Sequence, residues 1–160
     1  MSNFEREVAA PIGPAVAVLA ALDSAAGPIL AEAERQGIAF VRRLFEEWHS
    51  GSNRFDRPGE IILGAWQGDR LLGLGGLNRD PSTAEEGVGR LRHLYVLGSQ
   101  RHLGVGTLLV GHLLRRAESH FRTVRLRAAS PDAAAFYRRL GFAECDDPAA
   151  THLIRVPPIA

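Results

Sequence analysis

A glycine-bearing segment at residues 96–107 has the residue types and spacing that most directly suggest chemistry. It reads Val-Leu-Gly-Ser-Gln-Arg-His-Leu-Gly-Val-Gly-Thr and lies between a β-rich run and a long apolar helical pattern. The first N–H groups of a helix have no partner within the helix and carry partial positive charge. Glycine at positions 104 and 106 allows an anion to approach the backbone closely. The segment therefore predicts an anion-binding turn that suits phosphate.

Two common phosphate motifs do not fit this turn. The dinucleotide motif G-x-G-x-x-G would need glycine where Leu109 stands. The nucleotide P-loop needs Gly-Lys, and all 19 Lys+Arg residues of this chain are arginine. The pattern that fits is R-x-x-G-x-G, from Arg101 to Gly106. The single Cys145 also excludes an internal disulfide and a cysteine zinc site.

A second motif lies at residues 133–142 and reads Ala-Ala-Ala-Phe-Tyr-Arg-Arg-Leu-Gly-Phe. Together with the R-x-x-G-x-G turn and the preceding Leu-Tyr-Val at 94–96, it makes this chain resemble the GNAT superfamily of acetyltransferases, whose helix signature is A-x-x-F-Y-x-x-L-G-F. The resemblance covers residues 60–156 clearly and the first helices weakly. It implies one N-acetyltransferase domain over residues 1–160, with acetyl-CoA as co-substrate and no metal.

The resemblance also implies how acetyl-CoA is held. Its pyrophosphate binds the turn, and its pantetheine arm lies between two splayed strands, bonded to backbone groups of the strand before the turn. Ser130 stands where the family often has Asn, and its hydroxyl either bonds the cofactor or caps the helix that begins at Pro131. The implied cofactor-binding residues are Leu94, Tyr95, Val96, Arg101, His102, Leu103, Gly104, Val105, Gly106, Thr107, Ser130 and Tyr137.

The catalytic candidates are Tyr137, His93 and Glu60. Tyr137 occupies the family's general-acid position, and an ordinary tyrosine is protonated at neutral pH. It would donate to the departing thiolate, orient the thioester or simply pack. Arg90 stands where many relatives carry a glutamate general base, and arginine cannot serve as that base. His93 has the best-suited ordinary pKa for the role; the other candidates are Glu60, Glu85, Glu86, His49 and an ordered water chain.

The acceptor site is expected to use Trp48, Phe55, Arg90 and Arg92. The two arginines share one strand face and would recognise an acidic group or extend into solvent. The two aromatic residues would form an apolar wall or belong to the core. Without a convincing nucleophile, direct attack by a primary amine of a small molecule or peptide is expected. The alternative is a non-catalytic acyl-CoA-binding sensor or subunit, which the presence of Arg90 in place of glutamate favours. A third possibility is an acyl donor other than acetyl-CoA.

The elements that must position these residues are read from periodicity and from turn residues. Predicted helices cover residues 14–22, 29–36, 38–48, 105–119 and 131–140. Predicted strands cover residues 4–8, 60–66, 70–77, 88–96, 123–128, 142–145 and 151–156. This order predicts a single α/β (α+β), GNAT-like domain, with a mixed, mostly antiparallel central sheet and helices on both faces.

Charge and hydropathy limit the partners. The formal net charge of +1 is too small to argue for a nucleic-acid or membrane partner. The apolar run at residues 8–22 follows acidic Glu5 and Glu7 and is interrupted by Pro11, Gly13 and Pro14. We therefore expect a buried helix there and not a signal peptide. The expected protein is a cytoplasmic monomer or homodimer.

Overall fold

The computed structural model describes residues 13–157. The predicted strand at residues 4–8 lies outside this range. The described strands are β1 Ala15–Val18, β2 Ile61–Gln67, β3 Arg70–Arg79, β4 Val88–Val96, β5 Thr123–Leu126, β6 Ala143–Asp147 and β7 Ala150–Arg155. The α-helices are α1 Gly27–Arg35, α2 Ala39–Ser50, α3 Val105–Ala117 and α4 Pro131–Arg139.

The strands form one sheet in the order β1-β2-β3-β4-β5-β7-β6. Every neighbouring pair is antiparallel except β4 and β5, which run parallel. The α3 and α4 helices pack on one face, and α1 and α2 pack on the other. This confirms the predicted fold class. Within residues 13–157, no helix has the length and hydrophobicity needed to cross a membrane.

The predicted helix at residues 14–22 is wrong. Ala15–Val18 is an edge strand whose residues pair with Trp66 to Leu63 of β2. It is also not buried, because Val18 is 51% exposed. Alanine favours helix, but Val16 and Val18 alternate at the strand period, and pairing with β2 decides the outcome.

Strands β4 and β5 separate soon after they meet. Their pairing covers only Val88–Arg90 and Thr123–Arg125. Further along, β4 continues to Val96 with β3 as its strand partner. The chain therefore opens a gap between two parallel strands on the side that leads to α3. This is the separation that the resemblance implied.

A bulge interrupts β4 midway along this gap. Gly76 pairs with Arg92 and Leu74 pairs with Tyr95, so His93 and Leu94 together oppose Gly75. His93 adopts a left-handed φ of 60°. A bulge places two successive side chains toward one face. Arg92 and His93 consequently both face α2, whereas Leu94 packs toward α3.

Candidate functional site

The turn before α3 has the features of an anion site. His102 and Gly104 both have left-handed backbones, with φ of 62° and 89°. No backbone carbonyl within the described range accepts a hydrogen bond from the N–H groups of His102, Leu103 or Gly104. A Cβ at Gly104 would meet no atom within 4 Å, so the space beside it is open. Successive free N–H groups at a helix start form a cradle for an anion such as pyrophosphate.

Arg101 anchors this turn to the rest of the protein. Its Nε donates to the Val96 carbonyl at 3.1 Å, and its Nη2 donates to Gln36 Oε1 at 3.1 Å. The guanidinium also lies over the Tyr95 ring, 5.4 Å from its centroid. Arg101 thus fixes the turn against β4 and α1. The backbone N–H groups of the turn are left without a backbone acceptor.

Glu32 of α1 also holds this turn in place through hydrogen bonds. Its Oε2 accepts hydrogen bonds from the Tyr95 hydroxyl at 2.6 Å and from the Gly98 N–H at 3.1 Å. The tyrosine hydrogen bond is the largest cause of the lowered pKa of Glu32, which burial opposes. Sequence reasoning missed Glu32 and Gln36 because they lie on and just after a helix that is distant in sequence and has no motif of its own.

Tyr137 lies in the core on the α3 side of the sheet. Its ring packs against Phe136 and Phe142, with centroid distances of 5.1 and 5.5 Å. Only 7% of the residue is exposed, and burial raises the pKa of its hydroxyl. The group therefore stays protonated at neutral pH. Ser130 instead caps α4, because its Oγ accepts the Ala133 N–H at 3.1 Å.

His93 is sealed between the sheet and α2. Its ring lies 6.3 Å from the Phe40 ring and 5.9 Å from the Phe55 ring, and neither ring nitrogen has a hydrogen-bond partner among the described residues. Burial, followed by the positive charge of Arg92, lowers its pKa to about 3. Both nitrogens are inaccessible to solvent. This environment speaks against the expectation that His93 accepts the acceptor's proton.

Arg90 is committed to a buried carboxylate. Its Nη1 lies 3.5 Å from Asp80 Oδ2, and its Nη2 donates to the Ala149 carbonyl at 2.9 Å. The Asp80 side chain has no exposed surface and also binds Arg125 at 2.5 Å. Burial would raise the pKa of Asp80, but hydrogen bonds from Ser82 and Arg125 outweigh it, so the pKa is lowered. These contacts tie β4 to its neighbours and speak against the expectation that Arg90 recognises an acceptor.

A cavity of about 870 Å³ opens on the α2 face of the sheet. Arg92 and Glu60 both line it. Arg92 lies 3.9 Å from Glu47, and Glu60 Oε2 accepts the Arg79 N–H at 3.0 Å. The remaining lining residues are Glu47, Gly51, Ser52, Asn53, Arg54, Asp56, Arg57, Pro58, Asn78, Arg79, Asp80, Pro81 and Thr83.

The expected aromatic wall does not border this cavity. Phe55 is 4% exposed and packs into the core. Trp48 packs against the same core cluster, with the Arg54 guanidinium 5.5 Å from its ring centroid. Sequence reasoning missed Glu47 and Asn78, which do line the cavity. The sequence does give an indication for Asn78, because it is a polar residue that directly follows the apolar run of β3.

The remaining base candidates lie apart from this cavity. Glu85 and Glu86 line a separate cavity of about 220 Å³ with Arg122 and Arg155. His49 is exposed, and its Nδ1 donates to the Phe45 carbonyl at 2.7 Å.

Comparison with known proteins is consistent with this geometry. The model of the Acetyltransferase (GNAT) family matches residues 26–142. A presumed acetyltransferase from Exiguobacterium sp. 255-15 is 26% identical, with a TM-score of 0.80 over 90% of this chain and 94% of that one. Escherichia coli YhbS, a GNAT N-acetyltransferase solved with CoA, is 18% identical, with a TM-score of 0.70 over 92% and 84% of the two chains.

A GNAT-family acetyltransferase from Staphylococcus aureus Mu50 has the same fold. It is 14% identical, with a TM-score of 0.64 over 89% of this chain and 100% of that one. No curated protein matches the sequence.

Proposed function

Because the chain belongs to the Acetyltransferase (GNAT) family, we propose that it moves an acetyl group from acetyl-CoA to a primary amine of a small molecule or peptide. The amine attacks directly in a ternary complex. The observation that carries this proposal is the free N–H cradle at His102–Gly104, at the mouth of the gap between β4 and β5. The N–H cradle would bind the pyrophosphate of acetyl-CoA, and the gap between the strands would admit its pantetheine arm.

The residues present suit acetyl-CoA. The open space at Gly104 accepts a phosphate where a side chain would block it. The edge of β4 beyond Arg90 is not paired with β5, so its backbone groups, apart from the Val96 carbonyl that Arg101 binds, are available to a pantetheine amide. Leu94 and Val96 contribute apolar side chains on the α3 face. Bound there, acetyl-CoA supplies an acetyl group activated as a thioester.

Two proton transfers accompany the reaction. A C–N bond forms as the C–S bond breaks, the amine loses a proton, and the thiolate gains one. Tyr137 is the proposed donor to the sulfur, because its hydroxyl is protonated and has no hydrogen-bond partner among residues 13–157. For the amine proton we propose a carboxylate of the large cavity, Glu60 or Glu47, both of which an acceptor can reach. His93 is sealed from that cavity.

Two measurements test this function. Acetyl-CoA at ~100 times its dissociation constant is expected to add about 2.7 kcal/mol to the unfolding free energy, which a thermal-shift assay detects. A panel of primary amines is then assayed for CoA thiol release. Stabilisation without turnover of any amine would favour the non-catalytic acyl-CoA-binding module, and longer acyl-CoAs test a different donor. No stabilisation by acetyl-CoA would refute the proposal. The expected setting remains the cytoplasm, with a monomeric or homodimeric protein.

A further inference from the structure

The large cavity contains an arginine with few partners. Arg92 enters it from β4, next to the bulge, with a side chain that is 20% exposed. Among the described residues its guanidinium makes one ion pair, to Glu47 at 3.9 Å, and no hydrogen bond. A guanidinium has five N–H donors arranged to bind a carboxylate through two parallel hydrogen bonds. Arg92 therefore offers an almost unused site for an anionic group.

Two acceptor atoms without donors lie in the lining of the same cavity. Glu47 Oε2 and Asn78 Oδ1 are both buried and have no hydrogen-bond partner within residues 13–157. Asn78 is 5% exposed, so its amide is fixed in the wall. Buried acceptors are nearly always satisfied in native proteins, and leaving them unsatisfied is costly. Both oxygens belong to residues that line the cavity, so a donor that enters it, such as an ammonium group, would satisfy them.

We propose that the acceptor is an α-amino acid, whose carboxylate binds Arg92 and whose ammonium binds Glu47 and Asn78. This inference rests on the proposed acetyl transfer and names its acceptor class. The spacing supports it, because the guanidinium and the carboxylate lie 3.9 Å apart and an α-amino acid carries its two charges on adjacent carbons. The ammonium must lose a proton before its nitrogen attacks the thioester, and Glu47 receives that proton.

The charges of the cavity disfavour two other acceptor classes. The lining contains as many carboxylates as guanidinium groups, four of each. A polyamine would place several cations beside those arginines, and a purely acidic ligand would meet the carboxylates. A ligand that carries both charges matches both sets. The cavity volume of about 870 Å³ leaves space for a polar side chain beyond the two charged groups.

The first experiment compares pairs of ligands with and without the carboxylate. CoA thiol release is measured with the common L-amino acids and with the corresponding amino-acid amides, which keep the amine and lose the anion. Hydrogen bonds to charged groups predict a preference of about 10- to 100-fold in kcat/KM for the acid. Equal turnover of the acid and amide of every pair would overturn the inference and leave the proposed function standing. Turnover of no amine at all would refute the proposed function itself.

The second experiment uses variants whose folding is checked by circular dichroism. Arg92→Gln is expected to raise KM for amino acids by about 10- to 100-fold while amide turnover is kept, and Arg92→Lys should recover part of the loss. Glu47→Gln should lower kcat and change the pH profile for acids and amides alike. Glu46→Gln, on the exposed face of the same helix, is the matched control and should leave both unchanged. An unchanged acid-to-amide ratio in folded Arg92→Gln would contradict the assignment.

Discussion

Because His93 of β4 is buried, we expect the stability of the folded protein to fall at mildly acidic pH. In the folded chain burial keeps His93 neutral, with a pKa of about 3 instead of 6.5. Below pH 6.5 the unfolded chain binds a proton at this position that the folded chain does not. Acid therefore favours unfolding, and the stability that His93 retains at neutral pH is lost as the pH falls from 6.5 toward 3.

The size of this loss of stability follows from the difference between the pKa of His93 in the folded and in the unfolded chain. One pH unit is worth about 1.4 kcal/mol wherever only the unfolded chain is protonated. Between pH 7 and pH 5, the contribution of His93 to the unfolding free energy should fall by about 2 kcal/mol. Most carboxylates titrate below this window, so they contribute little to the change. A histidine with an ordinary pKa in both states would contribute nothing.

The assay is urea unfolding at pH 7, 6 and 5, followed by the fluorescence of the 2 tryptophans. His93→Asn is the comparison, because asparagine tolerates the left-handed φ of 60° and does not titrate. The two proteins will differ in absolute stability, so the slope against pH is the quantity compared. We expect the variant to lose about 2 kcal/mol less than the wild type between pH 7 and pH 5. Equal slopes would show that His93 is accessible, and would return it to the candidates for the general base.

Three further variants, one of them with a matched control, test other parts of the structure. Gly104→Ala should destabilise the free protein by about 1 kcal/mol, because a Cβ is strained at φ 89°, and should weaken CoA binding at least ~10-fold in calorimetry. The control is Gly111→Ala, at an open position of α3, which should stabilise the protein and bind CoA with normal affinity. Equal CoA affinity of the two variants would argue against the anion cradle at Gly104. Tyr137→Phe should lower kcat by ~10²–10⁴-fold with little change in CoA affinity, and a wild-type kcat would leave Tyr137 a packing residue only. Arg90→Glu should cost about 3 kcal/mol or more, since it faces buried Asp80 with a second carboxylate; an unchanged melting temperature would show that this pair is unimportant.

Local patterns predicted the elements that carry the proposed cofactor site. Apolar spacing and the glycine at 104 located the start of α3, and Pro131 followed by Gly141 bounded α4. The same reasoning failed at Ala15–Val18, where four small residues became a strand only because β2 lies beside them. Propensity describes a segment by itself, whereas an edge strand depends on its neighbour.

The proposed acceptor site depends on side-chain contacts that a sequence does not display. Arg90 and Arg92 are the same residue type and are two positions apart on one strand. Nevertheless, Arg90 binds a buried carboxylate, whereas Arg92 borders the cavity. The difference arises because Asp80 lies beside Arg90, while Glu47 of α2 lies near Arg92. The environment of His93 was equally hidden, since the bulge at that residue turns its ring under Phe40 and Phe55.

The most direct test of the proposed acetyl transfer is the fate of an isotope-labelled acetyl group. Acetyl-CoA labelled with ¹³C in the acetyl carbons is incubated with the protein and the amine panel, and products are identified by mass spectrometry. Direct transfer predicts label on the nitrogen of a primary amine, in equal amount to the CoA released and with none retained on the protein. Label retained on the protein as an acetylated intermediate would contradict direct attack. CoA release without any labelled amine would contradict the proposed acetyl transfer to an amine.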